Sequence, residues 1–411
     1  MELNPEKILE VRGMNRTERL KQRQKKSKRI KLLTIMILVP ALLLGLAFSD
    51  HITEGRENNR LKESQDEEEN QALKEPVEDQ KEKEPLHAKK TADREEDVLR
   101  VLFLGDSMMT GNVAGALDQH GMDYPLREFA PVLQAADLIV VNLETAVGTS
   151  GELMEEKSFA FQTDPQYLEL FEPYKDKLVF TLANNHGMDA PVMETIQELE
   201  TEGFHYVGIG RNQQEAFEPY TTSINGVSVA VFGASRVIPV PEWRATDTRP
   251  GMATAYSPEP LASYVAKWSE QVDYVIPYLH WGQELEEEPD ENQIELADAL
   301  KEAGANLIVG AHPHVLQAME WNGPKQFTAY SLGNFVFTTS HDARANDTVA
   351  LEMELTQEEI QRVKVHPAEI RFGLVRYLEK PEERNRILQR LAKLSNNGNL
   401  RIDSGGKLYR E

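Results

Sequence analysis

The fold assignment depends first on the stretch Leu307-Ile308-Val309-Gly310-Ala311-His312-Pro313-His314. Its first three residues are aliphatic, as expected of a short buried strand, and two histidines follow almost directly. Two histidines that are separated by one residue on an extended segment project to the same side of the chain, and Pro313 restricts the backbone between them. We therefore predict a strand, Leu307–Val309, that ends at a pair of candidate metal ligands.

Four other predicted strands end in polar residues of the same kind. Val98–Leu104 is followed by Gly105-Asp106, Leu138–Val141 by Asn142-Leu143-Glu144, Leu178–Leu182 by Ala183-Asn184-Asn185-His186, and Tyr274–Tyr278 by Leu279-His280-Trp281-Gly282. Ligands of open α/β sheets bind beyond the carboxyl ends of the strands, and carboxylate, amide and imidazole groups all bind divalent metal ions. The sequence therefore predicts a divalent-metal site at these strand ends.

Each of these motifs also has a purely structural interpretation. Gly105-Asp106 fits a turn with a helix cap. Asn184–Gly187 fits a polar turn, because Asn and Gly accept positive φ angles. His280-Trp281 fits a buried, hydrogen-bonded histidine beside a packing tryptophan. The prediction of a metal site depends on their joint placement at strand ends, and not on any one residue.

The surrounding sequence, residues 98–398, has the alternation of short apolar runs and amphipathic stretches that is typical of a layered α/β domain. We predict further strands at Val227–Phe232, Phe327–Tyr330, Asp347–Leu355 and Ile360–Tyr377, and helices at Met193–Glu202, Asn292–Ala303 and Glu383–Leu394. Gly304 is the expected C-terminal cap of the second helix. Residues 399–411 are predicted to be a tail beyond this single domain.

The N-terminal region is predicted to anchor the chain in a membrane. Residues 1–31 are strongly basic, and the uncharged stretch Leu32–Phe48 follows them. Its seventeen residues are at the short end of what a transmembrane helix needs. A cleaved signal peptide is the alternative, but the basic region is long for one and no clear A-x-A cleavage site follows. The positive-inside rule places the N-terminus in the cytoplasm and the main domain outside the cell membrane, which the chain crosses once.

Residues 49–97 are predicted to form a charged, disordered linker. They are rich in Glu, Lys, Asp, Gln and Asn and almost free of aliphatic side chains, as in Glu63-Ser64-Gln65-Asp66-Glu67. Such a segment cannot bury enough apolar surface to offset its conformational entropy. An acidic interaction tail is the alternative interpretation.

Composition excludes several classes of function. The chain of 411 residues has a net charge of −23 and a pI near 5.0, which argues against nucleic acid as a partner because phosphate contacts need clustered Lys and Arg. It contains no cysteine, so a metal must bind to His, Asp, Glu or Asn. It also lacks a P-loop of the form G-x-x-x-x-G-K-[ST].

Six motifs, in this order, resemble those of the capsule-synthesis protein A family of the calcineurin-like metallophosphoesterase superfamily. They are Gly105–Met109, Asn142–Thr145, Ala183–Asp189, His280–Gly282, Gly310–Val315 and Ser331–Phe335, within residues 98–398. The anchor, linker and outer domain also resemble the membrane-bound A subunit of poly-γ-glutamate synthase complexes. The resemblance implies a four-layer α/β/β/α sandwich with a dinuclear site at the strand ends.

The resemblance also implies a role for each site residue. It implies that Asp106 binds the first of two divalent ions (Mn, Fe or Zn), that Glu144 bridges the two ions, and that Asn185 binds the second ion. His186 would be the acid or phosphate-contact residue, with Asp189 as the other catalytic residue. The remaining metal ligands would be His280, His312 and His314.

The sequence departs from the wider superfamily at two motifs. The first superfamily motif is usually Asp-x-His, but Met108 stands here in the histidine position, and a thioether is a poor ligand for hard divalent ions. The second motif is usually Gly-Asp-x-x-Asp, and here it is Asn142-Leu143-Glu144. One imidazole of the usual metal site is therefore missing.

Two functions are compatible with these features. In the first, the domain is a metal-dependent hydrolase or transferase in capsule or poly-γ-glutamate biosynthesis and export, acting outside the membrane on an anionic polymer or a cell-envelope linkage. In the second, the domain is a non-catalytic accessory subunit that binds the polymer through its metal ions and passes it on. In both, other poly-γ-glutamate synthase subunits are the expected partners.

Overall fold

The computed structural model describes residues 97–149, 157 and 159–411, all of them within the compact unit Thr91–Glu411. The predicted basic segment 1–31, the predicted anchor Leu32–Phe48 and nearly all of the predicted linker 49–97 lie outside the described residues. Among the helices that the structure does describe, none combines the length and the apolar character that crossing a membrane requires.

Strands dominate the described part of the chain. They are β1 (Leu99–Ser107), β2 (Leu138–Leu143), β3 (Ala146–Val147), β4 (Gln162–Thr163), β5 (Leu178–Thr181), β6 (His205–Val207), β7 (Ile209–Gly210), β8 (Tyr220–Ile224), β9 (Val227–Ser235), β10 (Gly251–Met252), β11 (Tyr274–His280), β12 (Leu307–Ala311), β13 (Met319–Gly323), β14 (Gln326–Ala329), β15 (Asp347–Leu355), β16 (Ile360–Arg371), β17 (Leu374–Tyr377), β18 (Leu400–Ile402) and β19 (Lys407–Arg410).

The helices lie between these strands. The α-helices are α1 (Gly111–His120), α2 (Ala130–Ala135), α3 (Val192–Glu202), α4 (Gln213–Phe217), α5 (Leu261–Ser269), α6 (Glu291–Glu302) and α7 (Pro381–Leu394), and 3₁₀ segments span Tyr124–Leu126, Pro165–Lys177, Pro241–Trp243 and Ala343–Asn346. Helix α6 begins with a capping box, in which Asp290 accepts from the Gln293 amide and Gln293 accepts from the Asp290 amide.

Two large sheets are formed from these strands. The larger sheet has the order β18-β19-β16-β15-β1-β2-β5-β6, with β17 paired to β16, and the smaller has the order β13-β14-β12-β11-β9-β8. Strands β1, β2, β5 and β6 are parallel neighbours, as are β9, β11, β12 and β14. The parallel strands thus form one half of the larger sheet, as far as its edge strand β6, and the centre of the smaller sheet. Side chains that follow the parallel strands of a sheet lie at one end of that sheet.

Three apolar clusters define the layers. One is built from the facing sides of the two sheets, including Phe103 of β1 and Tyr278 of β11. A second packs α1, α2, α3 and the 3₁₀ segment Pro165–Lys177 against the outer face of the larger sheet, and a third packs α4, α5 and α6 against the outer face of the smaller sheet. The order of layers is helices, sheet, sheet, helices, and the predicted α/β class is confirmed.

The C-terminal residues differ from the prediction. Residues 399–411 were expected to form a tail, but β18 and β19 within them join the larger sheet next to β16. The reason is that Leu400 and Leu408 bury their side chains in the cluster between the sheets. The domain therefore extends past residue 398 to the end of the chain.

Two glycines let the segment that follows β14 approach both sheets. A Cβ atom on Gly105 would lie 1.9 Å from the Gly333 carbonyl oxygen, and one on Gly310 would lie 2.0 Å from the Tyr330 carbonyl oxygen. The Asp106 amide donates to the Gly333 carbonyl oxygen at 3.1 Å. Because glycine has no Cβ, the backbone at the end of β1 and of β12 can lie against this shared segment.

Candidate metal centre between the two sheets

The predicted ligands converge, but they come from two sheets. Asp106 lies in β1, and Glu144 and Asn185 follow β2 and β5 of the larger sheet, whereas His280 ends β11 and the pair His312 and His314 follows β12 of the smaller sheet. The cross-sheet distances are short: His280 Nε2 lies 2.6 Å from Asn185 Oδ1, and His314 Nδ1 lies 3.3 Å from Asp106 Oδ2. The candidate site therefore lies between the strand ends of the larger sheet and those of the smaller sheet.

Asp106 occupies the centre of this cluster. The register between β1 and β2 shifts at Gly105, and the Asp106 side chain is fully buried beyond the shift. Its Oδ1 accepts from Asn142 Nδ2 at 2.7 Å, and its Oδ2 accepts from the His312 backbone amide at 3.1 Å. These two bonds fix the carboxylate against both sheets.

Glu144 is buried without a hydrogen bond. Neither of its carboxylate oxygens has a hydrogen-bond partner among the described residues, although His280 Nε2 lies 3.7 Å and His314 Nε2 lies 3.8 Å from Oε1. Burial, and then the charge of Asp106, raise the pKa of Glu144 well above its ordinary value. A buried carboxylate without a hydrogen bond is costly, and a divalent cation is a partner that its surroundings fit.

His280 is oriented by two amide side chains. Its Nδ1 lies 3.3 Å from Asn142 Nδ2, so Nδ1 accepts and the proton is assigned to Nε2, which donates to Asn185 Oδ1. Burial, and then the neighbouring His312, lower the pKa of His280 well below its ordinary value. The ring is thus kept neutral, and a metal ion bound at Nε2 would require the ring proton to move to Nδ1.

The pair His312 and His314 does not lie on an extended segment, so that prediction is wrong. Both residues have positive φ angles, 97° and 58°, and the backbone bends between them. The bend is fixed because the His312 amide donates to Asp106 and the Pro313 carbonyl accepts from the Leu285 amide. Their rings nevertheless remain together, with centroids 6.0 Å apart. Left-handed backbone at non-glycine residues is strained and is concentrated at functional sites.

The surroundings shift the pKa values of the two rings in opposite directions. Burial, and then the neighbouring His314, lower the pKa of His312 to about 3. Burial alone would also lower the pKa of His314, but the carboxylates of Glu144 and Asp106 outweigh it and raise that pKa to about 10. His312 Nδ1 is buried and has no hydrogen-bond partner among the described residues. A bare, buried ring nitrogen is a second donor atom that fits a metal ion.

The side chains form three groups of three, and within each group the donor atoms lie within 4.8 Å of one another. They are Glu144, His280 and His312; Asp106, Glu144 and His314; and Glu284, His312 and His314. Because Asn185 contacts His280 directly, the amide oxygen of Asn185 adds a further donor to the first group. The donor atoms are carboxylate oxygens and imidazole nitrogens, a combination that suits Mn, Fe or Zn. All six predicted metal ligands therefore lie in one cluster able to hold divalent ions.

His186 and Asp189, the two residues predicted to be catalytic, contact each other beside this cluster. His186 Nδ1 lies 2.6 Å from Asp189 Oδ2, and Lys157 Nζ lies 2.7 Å from Asp189 Oδ1 and 2.9 Å from His186 Nδ1. Since the carboxylate contact is the shorter, we assign the Nδ1 proton to it, which leaves Nε2 free. Burial lowers the pKa of His186 and the pKa of Lys157.

Several contributing residues were not among the predicted site residues. Asn184 Nδ2 donates to Asn142 Oδ1 at 3.1 Å, which fixes the amide that orients both Asp106 and His280. Asn334 Oδ1 lies 2.8 Å from His314 Nδ1. These three asparagines belong to the motifs Asn142–Thr145, Ala183–Asp189 and Ser331–Phe335, whereas Lys157 and Glu284 belong to no recognisable motif in this sequence.

The fold and this cluster define a layered α/β protein with a candidate metal centre between its two sheets. The chain belongs to the bacterial capsule synthesis protein PGA_cap family, whose profile matches residues 100–339.

Curated relatives agree with that assignment. The chain is 31% identical over 308 residues to the PGA biosynthesis protein CapA of Bacillus subtilis (strain 168), covering 73% of this chain and 80% of that protein. It is 30% identical over 329 residues to the capsule biosynthesis protein CapA of Bacillus anthracis, covering 77% and 78%. A probable polyglutamine synthesis accessory protein of Mycobacterium tuberculosis (strain ATCC 25618 / H37Rv) is 25% identical over 205 residues, covering 46% of this chain and 54% of that protein.

Proposed function

We propose that this chain is a membrane-anchored component of poly-γ-glutamate capsule biosynthesis and export, and that its cluster is a two-metal hydrolase or transferase site. The observation that carries the proposal is the convergence of six donor side chains around buried atoms of Glu144 and His312 that have no hydrogen-bond partner among the described residues. The family and the names of the two Bacillus relatives support the biological role.

The donor groups suggest how the residues would divide between two ions. Asp106, Glu144 and His314 would hold one ion, and Asn185, His280 and His312 would hold the other together with Glu144. Divalent ions in such a site act as Lewis acids and activate water as a nucleophile. With carboxylate, amide and imidazole donors and no thiolate, Mn, Fe or Zn would be bound. The layered fold then has the metallophosphoesterase type of α/β/β/α sandwich.

The proton-transfer role falls to His186. Asp189 accepts the Nδ1 proton of His186, so the free Nε2 is the atom that takes or returns a proton. Lys157 holds Asp189 by an ion pair and also donates to the Asn185 carbonyl oxygen. In this arrangement Lys157 positions the His186–Asp189 pair and provides a positive charge near an anionic substrate.

The substrate would be an anionic polymer or a cell-envelope linkage. The chain carries a net charge of −23, so loose association with a polyanion is unfavourable at long range. Bound metal ions would reverse the sign of the field locally. Other poly-γ-glutamate synthase subunits would supply the synthetic chemistry, because the sequence has no P-loop for ATP.

The first test is the metal content of the full-length chain, measured by elemental analysis for the wild type, Asp106→Ala and His312→Ala. We expect about two equivalents in the wild type and loss of metal in both variants, because each variant removes a donor from the cluster. The exposed residue His205 provides the matched control His205→Ala, which should contain as much metal as the wild type. A wild-type chain that stays metal-free in the presence of Mn, Fe and Zn would leave only a binding or scaffolding role.

A non-catalytic accessory role is the second candidate, and the accessory protein named among the mycobacterial relatives favours it. His186→Ala separates the two candidates, since His186 is outside the three donor groups. In a producing strain that depends on the introduced gene, a catalytic site predicts loss of polymer with metal retained. Normal polymer yield from His186→Ala, with none from Asp106→Ala, would favour the accessory role.

The membrane topology is part of the same proposal. The basic segment 1–31 would lie in the cytoplasm, Leu32–Phe48 would cross the membrane, and residues 98–411 would lie outside. Protease added to intact protoplasts should then remove the outer domain and leave a short membrane-bound fragment. Protection of the domain until the cells are lysed would contradict this topology.

A further inference from the structure

Glu284 is a carboxylate beside the cluster that the motifs do not include. It lies four residues after the end of β11, and its side chain is exposed. One of its oxygens and one ring nitrogen each of His312 and His314 lie within 4.8 Å of one another. Among the described residues the carboxylate has no hydrogen bond or ion pair. It is therefore free to bind a cation at the open side of the cluster.

The backbone around Glu284 is held against the histidine bend. The Leu285 amide donates to the Pro313 carbonyl oxygen at 2.8 Å. Leu285 has a φ of 63°, a left-handed conformation that costs a side-chain-bearing residue about 1 kcal/mol or more. This hydrogen bond, together with the contacts of Gln317 with the Glu286 carbonyl and of Glu287 with two arginines, keeps the residue in this conformation, so the fold sets the backbone position of Glu284.

Buried amides fix the loop from beneath. The Glu286 carbonyl oxygen accepts from Gln317 Nε2 at 2.9 Å, and Gln293 Nε2 donates to Gln317 Oε1 at 2.8 Å. Both glutamine side chains are fully buried. A Cβ on Gly282 would lie 2.7 Å from Gln293 Oε1, so only glycine fits where the loop leaves β11.

Ion pairs fix the far end of the loop. Glu287 Oε1 accepts from Arg390 Nε of α7 at 2.7 Å, and its Oε2 accepts from Arg344 Nη1 at 3.1 Å. The loop is thus anchored on both sides of Glu284, although its own sequence, Glu284-Leu285-Glu286-Glu287-Glu288, is almost entirely acidic.

The donor count shows what Glu284 could contribute. The group of Asp106, Glu144 and His314 offers three protein donors, because Met108 occupies the place of the imidazole that is usual in the superfamily. Divalent transition ions generally take four or more ligands. Glu284 shares His314 with that group and lies within 4.8 Å of ring nitrogens of His312 and His314, so its carboxylate would add a fourth donor there. His312 Nδ1, which is buried and has no hydrogen-bond partner among the described residues, is a further donor atom of the cluster.

We propose that Glu284 is a metal ligand, and that its carboxylate replaces the imidazole that is missing because Met108 stands in the usual histidine position. This inference rests on the proposed metal site and adds a residue to it. A carboxylate in place of an imidazole makes the donor set harder, so Glu284 would shift the preference of the site towards Mn²⁺ relative to Zn²⁺. Because its side chain is exposed, it is also the donor that a substrate carboxylate or phosphate could displace.

The test measures Mn²⁺ and Zn²⁺ binding to the full-length chain by competition with a metal indicator, together with the electron paramagnetic resonance spectrum of bound Mn²⁺. We expect Glu284→Gln to weaken one of the two Mn²⁺ sites by about 10-fold or more and to weaken Zn²⁺ binding less. The matched control is Glu286→Gln, an exposed residue of the same loop outside the three donor groups. It should bind both ions as the wild type does.

The outcomes separate this inference from the proposed function. Wild-type Mn²⁺ affinity and an unchanged spectrum in Glu284→Gln, with metal lost in Asp106→Ala, would overturn the role of Glu284 and leave the metal site intact. A wild-type chain that binds neither ion would overturn both. The melting temperature of metal-free Glu284→Gln should be no lower than that of the wild type, because the side chain has no hydrogen bond or ion pair among the described residues and its charge repels Glu144. Weaker binding could then not be attributed to misfolding.

Discussion

The two sheets meet at one cluster but contribute different chemistry to it. The larger sheet supplies oxygen donors, namely Asp106, Glu144 and Asn185, and the smaller sheet supplies nitrogen donors, namely His280, His312 and His314. Each set is electrostatically unfavourable by itself, because burial and mutual repulsion raise the pKa of Glu144 and lower the pKa of His280 and of His312. The difference shows that neither sheet forms the site alone.

The two sheets also use the same structural device. In each, a glycine just before the donor residues lies against the segment that follows β14, Gly105 against Gly333 and Gly310 against Tyr330. The shared segment therefore sets the distance between the oxygen donors and the imidazoles. The oxygen-donor side and the imidazole side differ in chemistry but depend equally on this contact.

The largest effect is expected when that contact is broken. Gly105→Ala and Gly310→Ala each place a Cβ about 2 Å from a backbone carbonyl oxygen. A backbone carbonyl, unlike the end of a flexible side chain, cannot move away to relieve this clash. We expect each to lower the free energy of unfolding by about 3 kcal/mol or more, as measured by urea denaturation. If one variant is much milder than the other, the shared segment does not serve the two sheets equally.

Gly115 in α1 provides the matched control. A Cβ there would meet no described atom within 4 Å, and alanine is the better helix former by about 0.5–1 kcal/mol. Gly115→Ala should therefore leave stability unchanged or raise it. A loss as large as that of Gly105→Ala would show that the clash is not the cause.

A smaller effect is expected from Glu144 on the oxygen-donor side. In the metal-free chain, Glu144→Gln removes a buried carboxyl group without a hydrogen bond and should raise the free energy of unfolding by about 1–3 kcal/mol. Since the folded pKa of Glu144 lies above its unfolded value, the carboxyl group destabilises the fold increasingly as pH rises above about 4.3. The gain from Glu144→Gln should therefore grow over that range, in chemical denaturation measured with a chelator present.

Glu354 of β15 is the contrasting carboxylate. It pairs with Arg100 at 2.9 Å and with Arg362 at 2.8 Å, so Glu354→Gln should lower stability slightly.

With Mn²⁺ added, Glu144→Gln should lose its advantage over the wild type because it has lost a ligand. An advantage for Glu144→Gln that persists in saturating metal would contradict the role of Glu144 as a metal ligand.

The smallest effect concerns a histidine outside the candidate metal site. His366 of β16 is buried, with Nε2 3.3 Å from Glu352 Oε2, and burial lowers its pKa below the ordinary value. As pH falls, His366 is therefore protonated at a higher pH in the unfolded chain than in the folded chain. The fold loses stability as pH falls below about 6.5. His366→Gln should reduce the loss of stability between pH 7 and 5.5, as measured by urea denaturation. An identical pH dependence in the variant and the wild type would show that His366 does not titrate differently on folding.

Much of the fold was predictable because local patterns report burial. The predicted strands Leu138–Val141 and Tyr274–Tyr278 lie within the observed β2 and β11, and the predicted helix Asn292–Ala303 matches α6 within one residue. The tail prediction failed at residues 399–411, since two short strands of three and four residues carry too little periodicity to be recognised.

The candidate site was predictable in its residue types and only partly in its geometry. His312 and His314 were expected on extended backbone, but the contacts that bend it come from Asp106 and Leu285, which are remote or unmarked in the sequence. Glu284 and Lys157 were missed for the same reason. Each is an ordinary charged residue until the fold brings it to the cluster.

The sequence by itself determined which strands are buried, which polar residues follow them, and that those residues are carboxylate, amide and imidazole groups able to bind a metal ion, with no thiols among them. These properties are local, because the periodicity of apolar side chains and the chemistry of each residue can be read from short segments of the sequence. Only the tertiary structure decided that the ligands divide between two sheets, and that Asp106 contacts a residue 206 positions away. That contact depends on how the two sheets pack, and packing follows from the whole set of buried surfaces and not from any one segment.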